Sequence, residues 1–132
     1  MVATTAGQRA QIIIEQAIDE GKLPIDGVYL FNLPSSVQKD VSHTVVLITE
    51  VNDTPTTYGS NRTNDMEETV AINIFYEKGT QILFDSLELP ILNKFEEKNW
   101  QCIYSPGHSM DPDTEQITKV FQFKHLQRKD EV

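Results

Sequence analysis

Residues 68–77, Glu-Thr-Val-Ala-Ile-Asn-Ile-Phe-Tyr-Glu, limit the possible folds more than any other stretch of the chain. Their side chains alternate between two faces, as in an extended strand. The large apolar members share one face: Val70, Ile72, Ile74 and Tyr76. The opposite face is smaller and partly polar. The pattern predicts a central strand with one face on the core.

A second run, residues 44–51, is rich in β-branched side chains and predicts an antiparallel neighbour of the first strand. Between the two runs lies a polar insertion, residues 52–67, in which the large side chains with apolar surface are Tyr58 and Met66. A long loop of this kind is usually functional or disordered. It is either a surface loop without a partner or a projection that orders against one. Tyr58 and Arg62, residue types that interfaces favour, support the second interpretation.

The chain is predicted to begin with a helix. Thr5 can cap it and form a capping box with Gln8. Gly21 and Pro24 end it, because glycine favours the left-handed cap and proline cannot continue the helix. Residues 27–31 then form a short strand.

A second helix follows the central strand. It begins near Asp85, with Glu88 as a capping-box partner, or later, with Pro90 in its first turn. Residues 100–105 and 116–124 are then predicted to pair as a closing hairpin.

The sequence therefore predicts an α+β fold in the order helix, strand, strand, strand, helix, strand, strand. An antiparallel sheet packs against two helices, and a long loop joins the second and third strands. The predicted core positions lie on apolar stripes of matching period: Ile13, Ile14, Ala17, Val45, Leu47, Ile72, Ile74, Leu92, Phe95 and Phe121.

Composition limits the possible partners. Twenty acidic and 11 basic residues give a net charge of −9, which argues against a binder of nucleic acid or of anionic membranes. The single cysteine, Cys102, excludes an internal disulfide framework and fits a reducing compartment. The sequence has neither a membrane span of roughly 20 apolar residues nor the layout of a signal peptide. We expect a soluble protein made in the cytoplasm, with one domain over residues 1–132 and a frayed end at 126–132.

Few groupings suggest catalysis. Three acids lie within residues 111–115, but they lack the spacing of a calcium-binding loop, and turn formation explains them equally well. His43, His108 and His125 show no metal-ligand spacing, and His108 is expected to face solvent. The sequence has no HExxH motif and no glycine-flanked serine. It predicts no enzymatic activity, no metal and no cofactor.

Three features together resemble a known family. They are the first helix with the strand and turn of residues 27–34, the central strand of residues 71–76 leading into a helix, and the closing hairpin of residues 100–123. The hairpin is the most specific, with Tyr104-Ser105-Pro106-Gly107-His108 leading through Asp111-Pro112-Asp113-Thr114. In this order the chain resembles the tail-terminator, or tail-completion, proteins of long-tailed bacteriophages (siphoviruses), in the short form found in phages of Gram-positive hosts.

The resemblance implies a virion structural protein without catalytic residues. Such proteins form a homohexameric ring that caps the tail tube, stops tube polymerisation and provides the face for head-tail joining. The implied partners are other copies of the chain, the major tail tube protein and the head-completion (stopper) protein. DNA would pass through the ring without specific binding, and no membrane is involved. The protein would be assembled in the host cytoplasm and reside in the virion tail.

In the ring that the resemblance implies, the 52–67 insertion is the predicted contact with a neighbouring subunit or with the tube. Its candidate contact residues are Thr54, Thr56, Tyr58, Asn61 and Arg62.

Two other interpretations stay open. One is a different connector ring or a tail tube subunit; a tube protein forms long tubes where a terminator forms one ring. The other is a small cytoplasmic α+β enzyme or ligand-binding module, which a pocket with convergent polar groups would favour.

Overall fold

A computed structural model describes residues 5–38, 40–59 and 62–128, and the side chains of residues 53–65, 127 and 128 fall outside that description. The elements in chain order are α1 (Ala6–Gly21), β1 (Gly27–Leu30), α2 (Ser35–Gln38), β2 (Val45–Gly59), β3 (Arg62–Phe75), α3 (Phe84–Glu97), β4 (Gln101–Tyr104), β5 (Ser109–Met110) and β6 (Ile117–Arg128). The strand order is β1-β2-β3-β6-β4, with β5 beside β6. The predicted α+β class is confirmed. The short α2 and β5 were not predicted, and β6 continues into the segment that was expected to fray.

The predicted central strand is confirmed as β3, which lies between β2 and β6. The four large side chains of the predicted apolar face are fully buried: Val70, Ile72 and Ile74 on β3, and Tyr76 directly after its end. Helices α1 and α3 supply the facing side chains of the core. Most of the predicted core positions are buried there: Ile13, Ile14, Ala17, Ile72, Ile74, Phe95 and Phe121, while Leu92 is partly buried against them.

The predicted phase of β2 is wrong. Its core-facing residues are Val46 and Ile48, which are fully buried and pair with Ile74 and Ile72 of β3. Leu47 is only partly buried, and Val45 is buried outside the main core. Since successive strand residues point to opposite faces, an uninterrupted apolar run gives no alternation from which to choose the phase.

The predicted long loop is also wrong, because β2 and β3 continue through the insertion as one antiparallel hairpin. The strands pair as far as Gly59 and Arg62, with irregularities at Glu50/Asn52, Pro55/Thr57 and Thr57/Tyr58. Residues 60 and 61 lie outside the described part of the chain. Backbone pairing needs no apolar side chains, and threonine and tyrosine favour extended backbone. The polar composition therefore concealed a strand-forming segment.

The sheet is mixed rather than wholly antiparallel, because β1 runs parallel to β2 from Gly27↔Val45 to Leu30↔Ile48. Parallel neighbours need a connection of a dozen or more residues, and residues 31–44, which include α2, provide it. The predicted closing hairpin is confirmed in outline: β4 pairs antiparallel with β6, with an irregularity between Cys102 and Tyr104.

The two long helices begin differently. The predicted capping box of α1 is confirmed: Gln8 N donates to Thr5 Oγ1 and Thr5 N donates to Gln8 Oε1, both at 3.1 Å. Helix α3 follows Leu83, which makes no side-chain cap, and Pro90 lies inside the helix. The predicted pairing of Asp85 with Glu88 is wrong, because the Glu88 carboxylate turns into the protein.

Candidate functional site

The β2–β3 hairpin is the candidate contact element. Strand β1 pairs with β2 only as far as Ile48, and β6 pairs with β3 as far as Asp65. At about 3.3 Å per residue, the eleven residues that follow Ile48, residues 49–59, carry the ribbon up to about 35 Å beyond β1. Its tip, where Gly59 pairs with Arg62, is two-stranded within the described residues.

Most of the predicted contact residues belong to this ribbon. Thr54, Thr56 and Tyr58 lie on β2, and Arg62 begins β3. Their side chains, and the whole of Asn61, lie outside the described part of the chain. The structure thus places four of these backbone positions on one projecting element, and their contacts stay a prediction.

A buried carboxylate ties the base of the hairpin to the core. Glu68 of β3 is 2% exposed; its Oε1 accepts a hydrogen bond from Nη2 of Arg9 on α1, and its Oε2 lies 3.1 Å from Nδ1 of His125 on β6. The His125 ring stacks on Trp100 with centroids 4.7 Å apart. A buried charge is costly unless it is paired, so this cluster holds α1, β3 and β6 in one arrangement.

A second buried carboxylate holds the segment between β4 and β5. Oε2 of Glu88, which is 5% exposed, accepts from the Tyr76 hydroxyl at 2.5 Å and lies 2.7 Å from His108 Nε2. Burial, the hydrogen bond and the Glu88 charge raise the pKa of Tyr76 well above its ordinary value. The His108 ring stacks on Phe84, 4.1 Å between centroids. His108 is exposed, as expected, but its side chain is only one-third exposed because these contacts hold the ring against the protein.

The acidic stretch at 111–115 behaves as a turn. Oδ1 of Asp111 accepts from the backbone N–H of Asp113 at 2.8 Å and of Thr114 at 3.4 Å, as an aspartate that starts a turn does. Within the described residues, no group of three or more His, Cys, Asp or Glu side chains has the geometry of a metal site. In that same part of the chain, no helix is long and apolar enough to cross a membrane.

A third polar cluster lies at the start of β2. Asp40 accepts from the Ser42 hydroxyl at 2.5 Å and from Ser42 N at 2.9 Å, and its Oδ2 lies 2.6 Å from His43 Nδ1. Ser42 Oγ and the carboxylate thus lie against the same imidazole nitrogen, at 3.1 and 2.6 Å. In a catalytic triad the serine and the acid contact opposite nitrogens, so this cluster lacks that geometry.

The hydrogen bonds of this third cluster predict a measurable titration. The two Ser42 donors and His43 lower the pKa of Asp40 to about 2, and the bond to Asp40, with its charge, raises the pKa of His43. We expect His43 to titrate above 6.5 in an NMR pH series, and Asp40→Asn to move its pKa down. Glu97→Gln, which removes a carboxylate that contacts Lys94 and does not face His43, is the matched control and should leave the pKa of His43 raised.

The same shifts fix the sign of the stability change with pH. His43 has its higher pKa in the folded state, so its contribution is full below about pH 6.5 and is lost as pH rises through the folded pKa. Asp40 has its lower pKa in the folded state, so its contribution is present above 3.8 and is lost as pH falls towards about 2. Both contributions are therefore complete only between about pH 4 and 6.5. A His43 pKa that Asp40→Asn leaves unchanged would contradict the assigned bond.

Sequence reasoning missed both buried acids, although each carries a signal. Glu68 has the strand parity of Val70 and Ile72, and Glu88 lies three residues before Ile91 on the buried stripe of α3. An acidic residue that has the same periodicity as the buried apolar residues predicts a buried carboxylate with a polar or charged partner. Its partners are not predictable in this way, because Arg9 is 59 residues from Glu68 in the chain.

Two comparisons with known proteins bear on identity. A search of curated proteins finds no match to this chain. A family profile described as "Protein of unknown function (DUF806)" matches residues 8–127, from the first turns of α1 almost to the end of β6. The chain therefore belongs to the DUF806 family, a phage-associated family.

Proposed function

We propose that this protein is a tail-terminator subunit of a long-tailed phage. Six copies form a ring on the tail tube, stop its polymerisation and present a face to the head-completion protein. The subunit acts as a structural part of the virion, with other copies of itself, the tube protein and the stopper protein as its partners.

The observation that carries the proposal is the projecting β2–β3 hairpin. Beyond Ile48, the outer edge of β2 has no strand partner within the described residues. A neighbouring chain can pair with an edge strand of this kind and extend the sheet. A polar ribbon of this length adds little to the core of its own subunit, so a role in contacts between subunits or with the tube accounts for it.

Two further properties support the proposal. The family is phage-associated, which fits a virion component. The net charge of −9 suits a ring through which DNA passes, because a negative wall disfavours contacts with phosphate. Acidic proteins are common, so the charge is the weaker of the two supports.

The direct test is removal of the gene from the phage that encodes the protein. We expect tails of variable, excessive length and tail-less heads in electron micrographs, because nothing stops the tube or joins it to the head. Expression of the wild-type chain in the host should restore uniform tails, and labelled protein should lie at the head-proximal end of the tail.

Two results would contradict the proposal. Tails of normal length without the gene would remove the terminator role. Polymerisation of the purified chain alone into long tubes would identify a tube subunit instead.

A further inference from the structure

A small open pocket lies where α1, the residues after α3 and β6 meet. Its volume is about 290 Å³. Its wall includes Arg9 and Ile12 of α1, Lys98, Trp100 and His125, and we call it the α1–β6 pocket. Ligand pockets usually hold about 300–1,000 Å³. A pocket at the small end of this range suits a group about the size of an amino-acid side chain.

The polar part of the wall is cationic. It consists of the Arg9 guanidinium, the Lys98 ammonium, the His125 imidazole and the Gln16 amide, and no carboxylate of the described residues lines the pocket. The buried Glu68 is bound to Arg9 and His125 but does not form part of the wall. Since the Glu68 charge offsets that of Arg9, Lys98 leaves the pocket with net positive charge even when His125 is neutral.

No neighbouring acid neutralises Lys98. Its side chain is exposed and makes no ion pair within the part of the chain that the structure describes. Glu97, directly before it, and Glu20, near the end of α1, both contact Lys94 instead. The other acids of α1 and α3 do not line the pocket: Glu15, Asp19, Asp85, Glu88 and Glu96. The pocket therefore attracts an anion, although the chain as a whole carries a net charge of −9.

Arg9 keeps hydrogen-bond donors that Glu68 does not use. Its guanidinium has five N–H donors in a planar fork that matches a carboxylate, and the bond to Glu68 engages Nη2. Nε is buried and has no hydrogen-bond partner in the described part of the chain, and a buried donor without an acceptor is costly. The Arg9 side chain is still 23% exposed and lines the pocket. A second carboxylate that enters the pocket can therefore contact the guanidinium.

The rest of the wall is apolar. Ile12 is 44% exposed, and Ile13 and Trp100 complete this part of the wall. A bare inorganic anion would leave these side chains uncovered, whereas an apolar group next to the charge would remove their surface from water. Charge and lining together favour an organic carboxylate over an inorganic anion.

We propose that the α1–β6 pocket binds a carboxylate carried on a small apolar group. The carboxylate contacts Arg9 and Lys98, and the apolar group covers Ile12 and Trp100. A free organic acid has this chemistry, and so has an acidic side chain beside an apolar one in a partner chain. The inference goes beyond the proposed function and does not rest on it.

The test is a titration of the full chain with phenylacetate. Trp100 is the single tryptophan, so its indole N–H signal in a ¹H–¹⁵N NMR spectrum reports on the pocket without ambiguity. We expect this signal to shift in a saturable manner, with a millimolar dissociation constant. Phenylacetamide has the same shape without the charge, and it should bind roughly fivefold more weakly or worse, because hydrogen bonds to a charged group are stronger than neutral ones.

Two charge reversals test the position of the site. Lys98→Glu places a negative charge at the pocket and should weaken phenylacetate binding about threefold or more. Lys78→Glu changes the net charge equally at an exposed lysine that does not line the pocket, and it is the matched control, with binding expected within about twofold of the wild type. Lys98 is the residue to vary because Arg9 also holds Glu68 in the fold.

A peptide distinguishes the two sources of the carboxylate. Acetyl-Phe-Glu-amide carries a glutamate beside an aromatic ring on a chain with both ends blocked. Binding at least as tight as that of phenylacetate assigns the pocket to an acidic segment of a partner chain, and weaker binding assigns it to a free acid. The inference would be overturned if neither compound shifted the Trp100 signal up to about 10 mM. Equal affinity for phenylacetamide and phenylacetate, or equal effects of Lys98→Glu and Lys78→Glu, would overturn it as well.

Discussion

Replacement of Arg9 by methionine should destabilise the protein by about 3–5 kcal/mol, the usual effect of removing one partner of a buried ion pair. Arg9 is the cation bound to Glu68, whose side chain is 2% exposed. Without it, the carboxylate keeps only His125, 3.1 Å away, and stays in the interior. Methionine retains much of the arginine stem, so the lost packing is small. Urea unfolding followed by circular dichroism gives the free energy of unfolding.

Two further variants separate the effect of the unpaired Glu68 charge from the effect of lost packing. Arg9→Met combined with Glu68→Met should recover most of the loss, because an apolar pair of similar volume often replaces a buried ion pair without cost. Lys78→Met removes a cation in the same way from an exposed pair, Lys78 with Glu115 at 3.4 Å, and should cost less than about 1 kcal/mol. If Arg9→Met and Lys78→Met lowered the free energy of unfolding by the same amount, loss of Arg9 would not leave a costly unpaired charge at Glu68.

The central strand was predictable because burial of one face imposes a period of two. Val70, Ile72 and Ile74 obey that period, and all three are fully buried. The same reasoning failed at β2, where both faces are apolar from Val45 to Ile48, and pairing with β3 decides which face meets the helices. Local pattern thus identifies a strand, and tertiary register sets its phase.

The β2–β3 hairpin shows a second limit of prediction from sequence. Residues 52–67 look like a loop because polar composition usually marks one, yet composition reports burial rather than backbone conformation. Strand propensity in this segment was present in its threonines and Tyr58, and pairing extends to Gly59 and Arg62. The buried acids show the same dependence on tertiary structure. The sequence shows that Glu68 and Glu88 lie in phase with buried residues. Their partners Arg9, His125 and His108 could not be predicted, because they come from distant parts of the chain.

The prediction of the contact residues rests on weaker grounds than the prediction of the fold. The β2–β3 hairpin fixes where their backbone lies. Tyr58 and Arg62 were chosen because interfaces favour these residue types. An interface is a property of two molecules, so the sequence of one chain indicates where contact is possible and leaves the partner to experiment.

Shortening the hairpin should separate folding from assembly. Thr54 and Glu67 pair directly, so an Asn-Gly turn in place of residues 55–66 closes the ribbon at that rung and leaves Glu68 in position. The replacement removes the polar ribbon and the pairs of Asp65 and Met66 with the end of β6, but it leaves the buried core in place, so the free energy of unfolding should fall by only about 1 kcal/mol. In the phage, the same variant should give tails of uncontrolled length that do not join heads, with loss of plaques.

A second variant distinguishes the ribbon from its candidate anchors. Tyr58→Ser with Arg62→Ser keeps the full length of the hairpin, and loss of tail-length control here would assign the contact to those two side chains. Native mass spectrometry of the shortened chain then identifies the partner: rings that persist place the contact on the tube, and rings that are lost place it on the neighbouring subunit. Uniform tails and normal infectivity from the shortened chain would mean that the ribbon has no part in assembly, because a deletion that leaves the core intact removes only what the ribbon contacts.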